Sequence, residues 1–195
     1  MVGSSLTGPK RLSERPHDIQ STQPAGTSIS TPEDLKGLYT DELKDLWSAN
    51  DQMQRVLKEI APKTSDSSLK EMLGKSVEGI LKHTELLKEL LAGQDEKVSK
   101  EHCRGMEGLV AEATKHVLEE GPEKVPVLDA IIIAQYQRMS HYGIAGFGTA
   151  AAFAAGSGLK ADDKKLKAAT KDIYESDQSM TELAELTVNL KAKDA

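Results

Sequence analysis

Gln135-Tyr-Gln-Arg-Met-Ser-His-Tyr-Gly-Ile-Ala-Gly-Phe-Gly-Thr149 lies in the middle of a long stretch, Pro126 to Ala155, that ends in Gly156-Ser-Gly158. Ile131, Ile132, Ile133, Ile144, Phe147 and Phe153 fall all round a 3.6-residue turn rather than on one stripe. That pattern marks a helix buried on several sides. Gly143, Gly146 and Gly148, with Ala145 and Ala150 to Ala152, give it a face of small residues. A glycine-rich phosphate loop belongs between a strand and a helix start, and these glycines lie mid-helix. They point to close helix–helix approach, including a subunit interface, because each costs about 1 kcal/mol of helix propensity that packing must offset.

Working outward, the segment after this helix has the most regular period in the chain. Leu166, Ala169, Ile173, Ser176, Met180, Leu183, Thr187 and Leu190 alternate steps of three and four residues, a seam for packing at a shallow angle. Before it, a first helix is expected from Thr31-Pro-Glu-Asp34, with Thr31 capping, Pro32 at the first helical position and Asp34 favouring the dipole. Its apolar members are Leu35, Leu38, Leu46, Ala49, Met53, Val56 and Ile60, and Pro62 stops it. A second helix follows the Thr64-Ser65-Asp66 cluster, turns Leu69, Leu73, Ile80, Leu87 and Leu91 inward, and is capped at Gly93. A short helix from Glu101 to about Glu119 fills the connection, which breaks at Gly121-Pro122. The pattern predicts an all-α, antiparallel four-helix bundle with one longer crossover carrying a short extra helix.

Composition agrees and excludes several function classes. Aromatic residues make up only 4% of the 195, against the aromatic and β-branched enrichment that strands need. Net charge is −6 with both signs interspersed, so no basic stripe serves nucleic acid. No apolar run is long enough for a membrane span. The single cysteine, Cys103, excludes an intrachain disulfide framework. With no apolar signal core at the N-terminus, a cytoplasmic location is expected. Residues 1–30 are rich in Ser, Thr, Gly and Pro without a period, and read as a flexible N-terminal arm, or one that orders on a partner subunit. Residues 31–195 form the bundle domain.

The central stretch, together with others, also carries a resemblance. His141, Tyr142, Ile144, Ala145, Gly148 and Thr149 match a Gln-x-x-Glu-His-Tyr-Glu-Ile-Ala-x-Tyr-Gly-Thr pattern, in which the stretch resembles the YciF/YciE-like stress proteins, a branch of the ferritin-like superfamily. Asp34-Leu35, Glu42-Leu43-Lys-Asp45, Ser48-Ala49, Cys103-Arg-Gly-Met-Glu-Gly-Leu-Val110, Asp177 and Thr181-Glu-Leu-Ala184 follow in the same order and spacing. The chain therefore resembles that family from about Thr31 to Leu190.

The resemblance implies a ferritin-like fold and a two-metal centre of carboxylates and histidines from four helices. Carried over residue by residue, it places Asn50 where the first helix has a glutamate. It places Glu78 and Leu81 at a Glu-x-x-His pair, Ser140 and Gly143 at two glutamates, and Ile173 and Asp177 on the last helix. Only Glu78 and Asp177 keep a carboxylate, too few to offset the desolvation of two divalent ions. His141 neighbours a lost position and is expected to pack, while His83, about 200° round the helix from Leu81, is not its substitute. His102 beside Cys103 makes a weak pair, and Cys103 reads as a small buried residue rather than a nucleophile.

The expected function is non-catalytic: a stress-associated structural or interaction protein, a homodimer, needing no cofactor. The alternatives are a di-iron or di-manganese protein acting on peroxide or oxygen with rearranged ligands, and an assembly component docking through its arm.

Overall fold

The computed structural model describes residues 32–94 and 99–195. The arm expected over residues 1–30, and Thr31 as a helix cap, lie outside the described residues. No helix among those described is long and apolar enough to cross a membrane.

Helix α1, Leu35–Ile60, starts later than Pro32, because the Asp34 carboxylate accepts the Gly37 N–H at 2.7 Å and fixes the boundary there. Leu35 and Leu38 are correspondingly exposed at 37% and 43%, while Leu46, Ala49, Met53, Val56 and Ile60 are buried. Pro62 lies in the tight turn Ala61–Lys63 that ends α1. Helix α2, Ser67–Ala92, is capped by Asp66, which accepts from Ser68 and Leu69 N–H at 3.0 and 3.1 Å. Gly93 caps its far end with an ordinary right-handed φ of −73°. Helix α3 is Arg104–Thr114, with the Cys103 thiol as its cap, and it widens into a π-turn over Lys115–Glu119.

Helices α4, Val125–Gly156, and α5, Lys160–Leu183, form a hairpin whose turn needs glycine at Gly158, where φ is +78°. A π-turn, Ala184–Val188, joins α5 to the short α6, Asn189–Lys193. The wider turn inserts one residue into the period. Val188 is therefore fully buried in place of Thr187, and Leu190, expected in the seam, is 57% exposed.

Helix α1 runs antiparallel to α4, since Gly156 meets Leu35, Gly146 meets Leu46, and Asp129 binds Thr64. Helix α2 runs antiparallel to α5: Lys165 donates to Glu89, His83 faces Asp172, and Lys191 donates to Asp66. The remaining bundle contacts are α1 on α2 and α4 on α5, with α3 against α1 and α4. An all-α bundle results. Its core is divided. One apolar cluster gathers Met53, Ile60, Leu73, Ile132 and Met180, and the other Tyr39, Leu43, Leu87, Phe147 and Leu166.

Candidate functional site

A cavity of about 190 Å³ sits where the two clusters meet, and all four long helices reach it. Asn50 comes from α1, Ile80 and His83 from α2, Ser140 and Gly143 from α4, and Ile173 and Ser176 from α5. Asn50, His83 and Ser140 are buried at 7%, 6% and 2% exposure. The Asn50 amide donates to Thr84 Oγ1 at 3.3 Å, and Thr84 in turn donates to the Ile80 carbonyl at 2.8 Å. At one edge Tyr136 Oη lies 2.8 Å from Ser176 Oγ and accepts from Ser76 Oγ at 3.0 Å. Ser140 Oγ is buried with no hydrogen-bond partner among the described residues.

His83 is the imidazole of this cavity. Its ring tilts against Phe147 at 5.6 Å between centroids, and Nε2 lies 3.5 Å from Asp172 Oδ2. Burial holds its pKa below the usual 6.5, outweighing the pull of Asp172 in the opposite sense. Asp172 itself is half exposed at the mouth, beside Lys82.

Two sequence-derived positions are corrected by this geometry. Glu78 is exposed and Leu81 is 42% exposed, so neither faces the bundle centre. The same three-residue spacing two residues further on, Ile80 and His83, does face it. Two residues rotate the helix by about 200°, so the carried-over pair lies on the opposite side. Asp177 is a third correction. It is buried, but its Oδ2 is 3.0 Å from His141 Nε2, its Oδ1 has no partner among the described residues, and it does not line the cavity. His141 thus pairs with Asp177 and is otherwise largely solvent-facing. Asn50, Ser140, Gly143 and Ile173 do line the cavity.

Cys103 is fully buried. Its Sγ accepts the Met106 N–H at 3.3 Å and lies 3.0 Å from Tyr142 Oη, which donates to Asp45 at 2.8 Å. Burial pushes the thiol pKa up, so the nucleophilic thiolate is disfavoured. His102 pairs instead with Glu107 at 3.2 Å on the surface.

The small-residue face of α4 is spent mostly inside the bundle. A Cβ on Gly146 would stand 2.5 Å from Leu46 Cδ2, and one on Gly143 would be 3.6 Å from Ile173 Cδ1. Gly148, by contrast, has open space around it.

The donor set of the cavity does not fit a two-metal centre. One neutral imidazole, one amide and several hydroxyls face it, and its one carboxylate, Asp172, is at the rim. Among the described residues no three or more His, Cys, Asp or Glu side chains come together as metal ligands.

Comparison with known proteins gives concordant matches. Residues 34–193 match a family described as "Domain of unknown function (DUF892)". Protein YciF of Escherichia coli strain K12 is 31% identical over 161 residues, covering 82% of this chain and 96% of that protein. The crystal structure of the E. coli stress protein YciF superposes with a TM-score of 0.74 at 28% identity, covering 80% of this chain and 98% of that one. YcfI of Rhodopseudomonas palustris has the same fold, with a TM-score of 0.74 at 24% identity over 80% of this chain and 98% of its own.

Proposed function

The chain belongs to the YciF-like family, and from that premise we propose that it is a ferritin-like bundle that has lost its metal centre and serves as a non-catalytic, stress-associated structural or interaction protein. The observation that carries this reading is the substitution pattern at the heart of the fold. Asn50, Ile80, Ser140 and Ile173 each reach the central cavity from a different helix, and none bears a carboxylate. Two divalent cations in a low-dielectric core require several anionic oxygen ligands to offset their desolvation. A neutral amide, two isoleucines and a hydroxyl supply none.

The association with stress comes from E. coli YciF, described as a stress protein. A soluble cytoplasmic homodimer is part of the proposal, the dimer resting on the solvent-open part of α4 around Gly148. Metal analysis of protein purified from iron- and manganese-supplemented cells tests the core of the reading: far less than one metal per chain is expected. Stoichiometric iron or manganese would overturn the reading and leave the enzyme alternative with rearranged ligands standing. Light scattering tests the dimer, and a particle of single-chain mass at tens of micromolar protein would exclude it.

A further inference from the structure

We propose that the central cavity is a binding site for a small, neutral, mainly apolar molecule bearing one hydroxyl, carbonyl or N–H group, the size of phenol or indole. The inference rests on the metal-free reading of the same cavity and goes beyond it. Volume sets the size class. The cavity measures about 190 Å³, and an apolar cavity of about 150 Å³ is enough to admit benzene. Met53, Met106 and Met139 line it, and unbranched thioethers adapt to ligand shape and contact aromatic rings favourably.

The polar groups set the rest. Ser140 is 2% exposed, and its Oγ has no partner among the described residues although the residue lines the cavity. A buried hydroxyl in that state gains more from a ligand hydrogen bond than a solvated one does, because its desolvation has already occurred on folding. His83 and Asn50 stand on the neighbouring helices, and the imidazole is held neutral by burial. The lysines that line the cavity, Lys75 and Lys82, are at its rim, exposed and paired with Glu71 and Asp172. An anionic ligand would leave water without a counter-charge, so the neutral form is favoured. Entry is by the α2–α5 side, where Gly79 lines the cavity and a Cβ there would meet no atom within 4 Å.

The test uses the purified full chain, with metal content measured on the same sample. Phenol, indole, toluene and benzoate are titrated by calorimetry and followed through the methionine methyl NMR signals. Phenol and indole are expected to bind with Kd of about 0.1–1 mM, shifting the methyl signals of Met53, Met106 and Met139. Ser140→Ala should weaken phenol and indole about tenfold, the loss of one hydrogen bond, and leave toluene unchanged. Gly143→Leu, folded as judged by helicity, should abolish all binding; the methyl shifts of the parent protein locate the ligand even if that variant does not fold. Metal-free protein that binds no probe at millimolar concentration would overturn this inference alone. Tighter binding of benzoate than phenol, or binding that survives a folded Gly143→Leu, would do the same. Stoichiometric metal in the cavity would overturn both this inference and the reading beneath it.

Discussion

Asp129 of α4 holds Ser65 at the entrance to α2 by two contacts: the Ser65 N–H donates to Oδ1 at 3.1 Å and its hydroxyl to Oδ2 at 2.8 Å. The same carboxylate accepts the Thr64 hydroxyl and the Asp66 N–H. Asp129 is only 2% exposed, so this charge is compensated by hydrogen bonds rather than by water. It fixes the α1–α2 turn onto a helix 63 to 65 residues away. Removing it leaves several buried donors unsatisfied. Asp129→Ala should therefore lower the unfolding free energy by about 2–4 kcal/mol, the range for a buried hydrogen-bond network. Urea denaturation measures it, and a loss within the usual scatter of surface substitutions would mean the turn is held by other contacts.

Acid should lower the stability of the fold through two groups that titrate in different ranges. His83 is held below 6.5 by burial, so its neutral form belongs to the folded state. Its contribution is complete above 6.5 and is lost as pH falls through the lower folded value. Asp66 is held below 3.8, first by the hydrogen bond from Lys191 at 2.8 Å and then by the N–H groups of its helix. Its contribution is complete above 3.8 and is lost on acidification through its folded pKa. His83→Gln should flatten the upper step only. Asp66→Asn, which keeps a capping oxygen, should flatten the lower one only. Melting temperatures recorded across the acid range distinguish the two, and a profile unchanged by both substitutions would show that other groups govern it.

Two glycines on one stretch of α4 should respond with opposite sign. A methyl on Gly146 would meet Leu46 Cδ2 at 2.5 Å and Glu42 Oε1 at 3.1 Å, so the buried Leu46 side chain would have to shift from its place in the core. Gly146→Ala is expected to destabilise by about 1–3 kcal/mol, overpacking exceeding the gain in helix propensity. Within the single chain Gly148 has nothing within 4 Å, so Gly148→Ala should stabilise the fold of the isolated chain by about 0.4–1 kcal/mol. Chemical denaturation of the two single variants checks this. Stabilisation by both would mean that α1 and α4 can separate slightly at no cost.

The helices themselves are legible in the sequence because their periods are long and their stops are chemical: Pro62, Gly93 and the Gly156-Ser-Gly158 turn all fall at real boundaries. The π-turn at Ala184–Val188 is not, since an inserted residue leaves no mark in a pattern already tolerant of steps of three and four. The misplacement of Glu78 and Leu81 has a different origin. It follows from the family's Glu-x-x-His spacing, whereas the apolar period of α2 already turns Ile80 inward but leaves gaps from Leu73 to Ile80 and from Ile80 to Leu87. Including Ser76 and His83 closes them into steps of three and four, and both residues are buried. A polar residue that completes an apolar period faces the interior, and the spacing of Ser76 and His83 carries that signal of burial in the sequence itself. The pairing of His141 with Asp177 depends on how α4 and α5 are rotated about their axes, which neither helix's sequence fixes alone.

The corrected register gives a sharper way to rebuild a metal centre. Asn50→Glu, Ile80→Glu, Ser140→Glu and Ile173→Glu would direct one carboxylate from each long helix into the cavity, beside the imidazole of His83 already present. Such a donor set suits iron or manganese. The variant should bind divalent metal, and its melting temperature should rise with free metal, as for any ligand of the native state. Without metal it should be less stable than the parent, because four carboxylates crowded in a low-dielectric space repel and lose hydration. A comparison variant with Glu at 50, 140 and 143 and Leu81→His should not gain the histidine ligand, since Leu81 is 42% exposed on the outer face. Metal titration monitored by thermal unfolding separates the two designs. Because His83 and three cavity-lining carboxylates are present in the comparison variant as well, equal metal response from both would mean that the carboxylates added at positions 80 and 173 are not needed as ligands. No response from either would mean that the cavity cannot take the geometry, whatever its ligands.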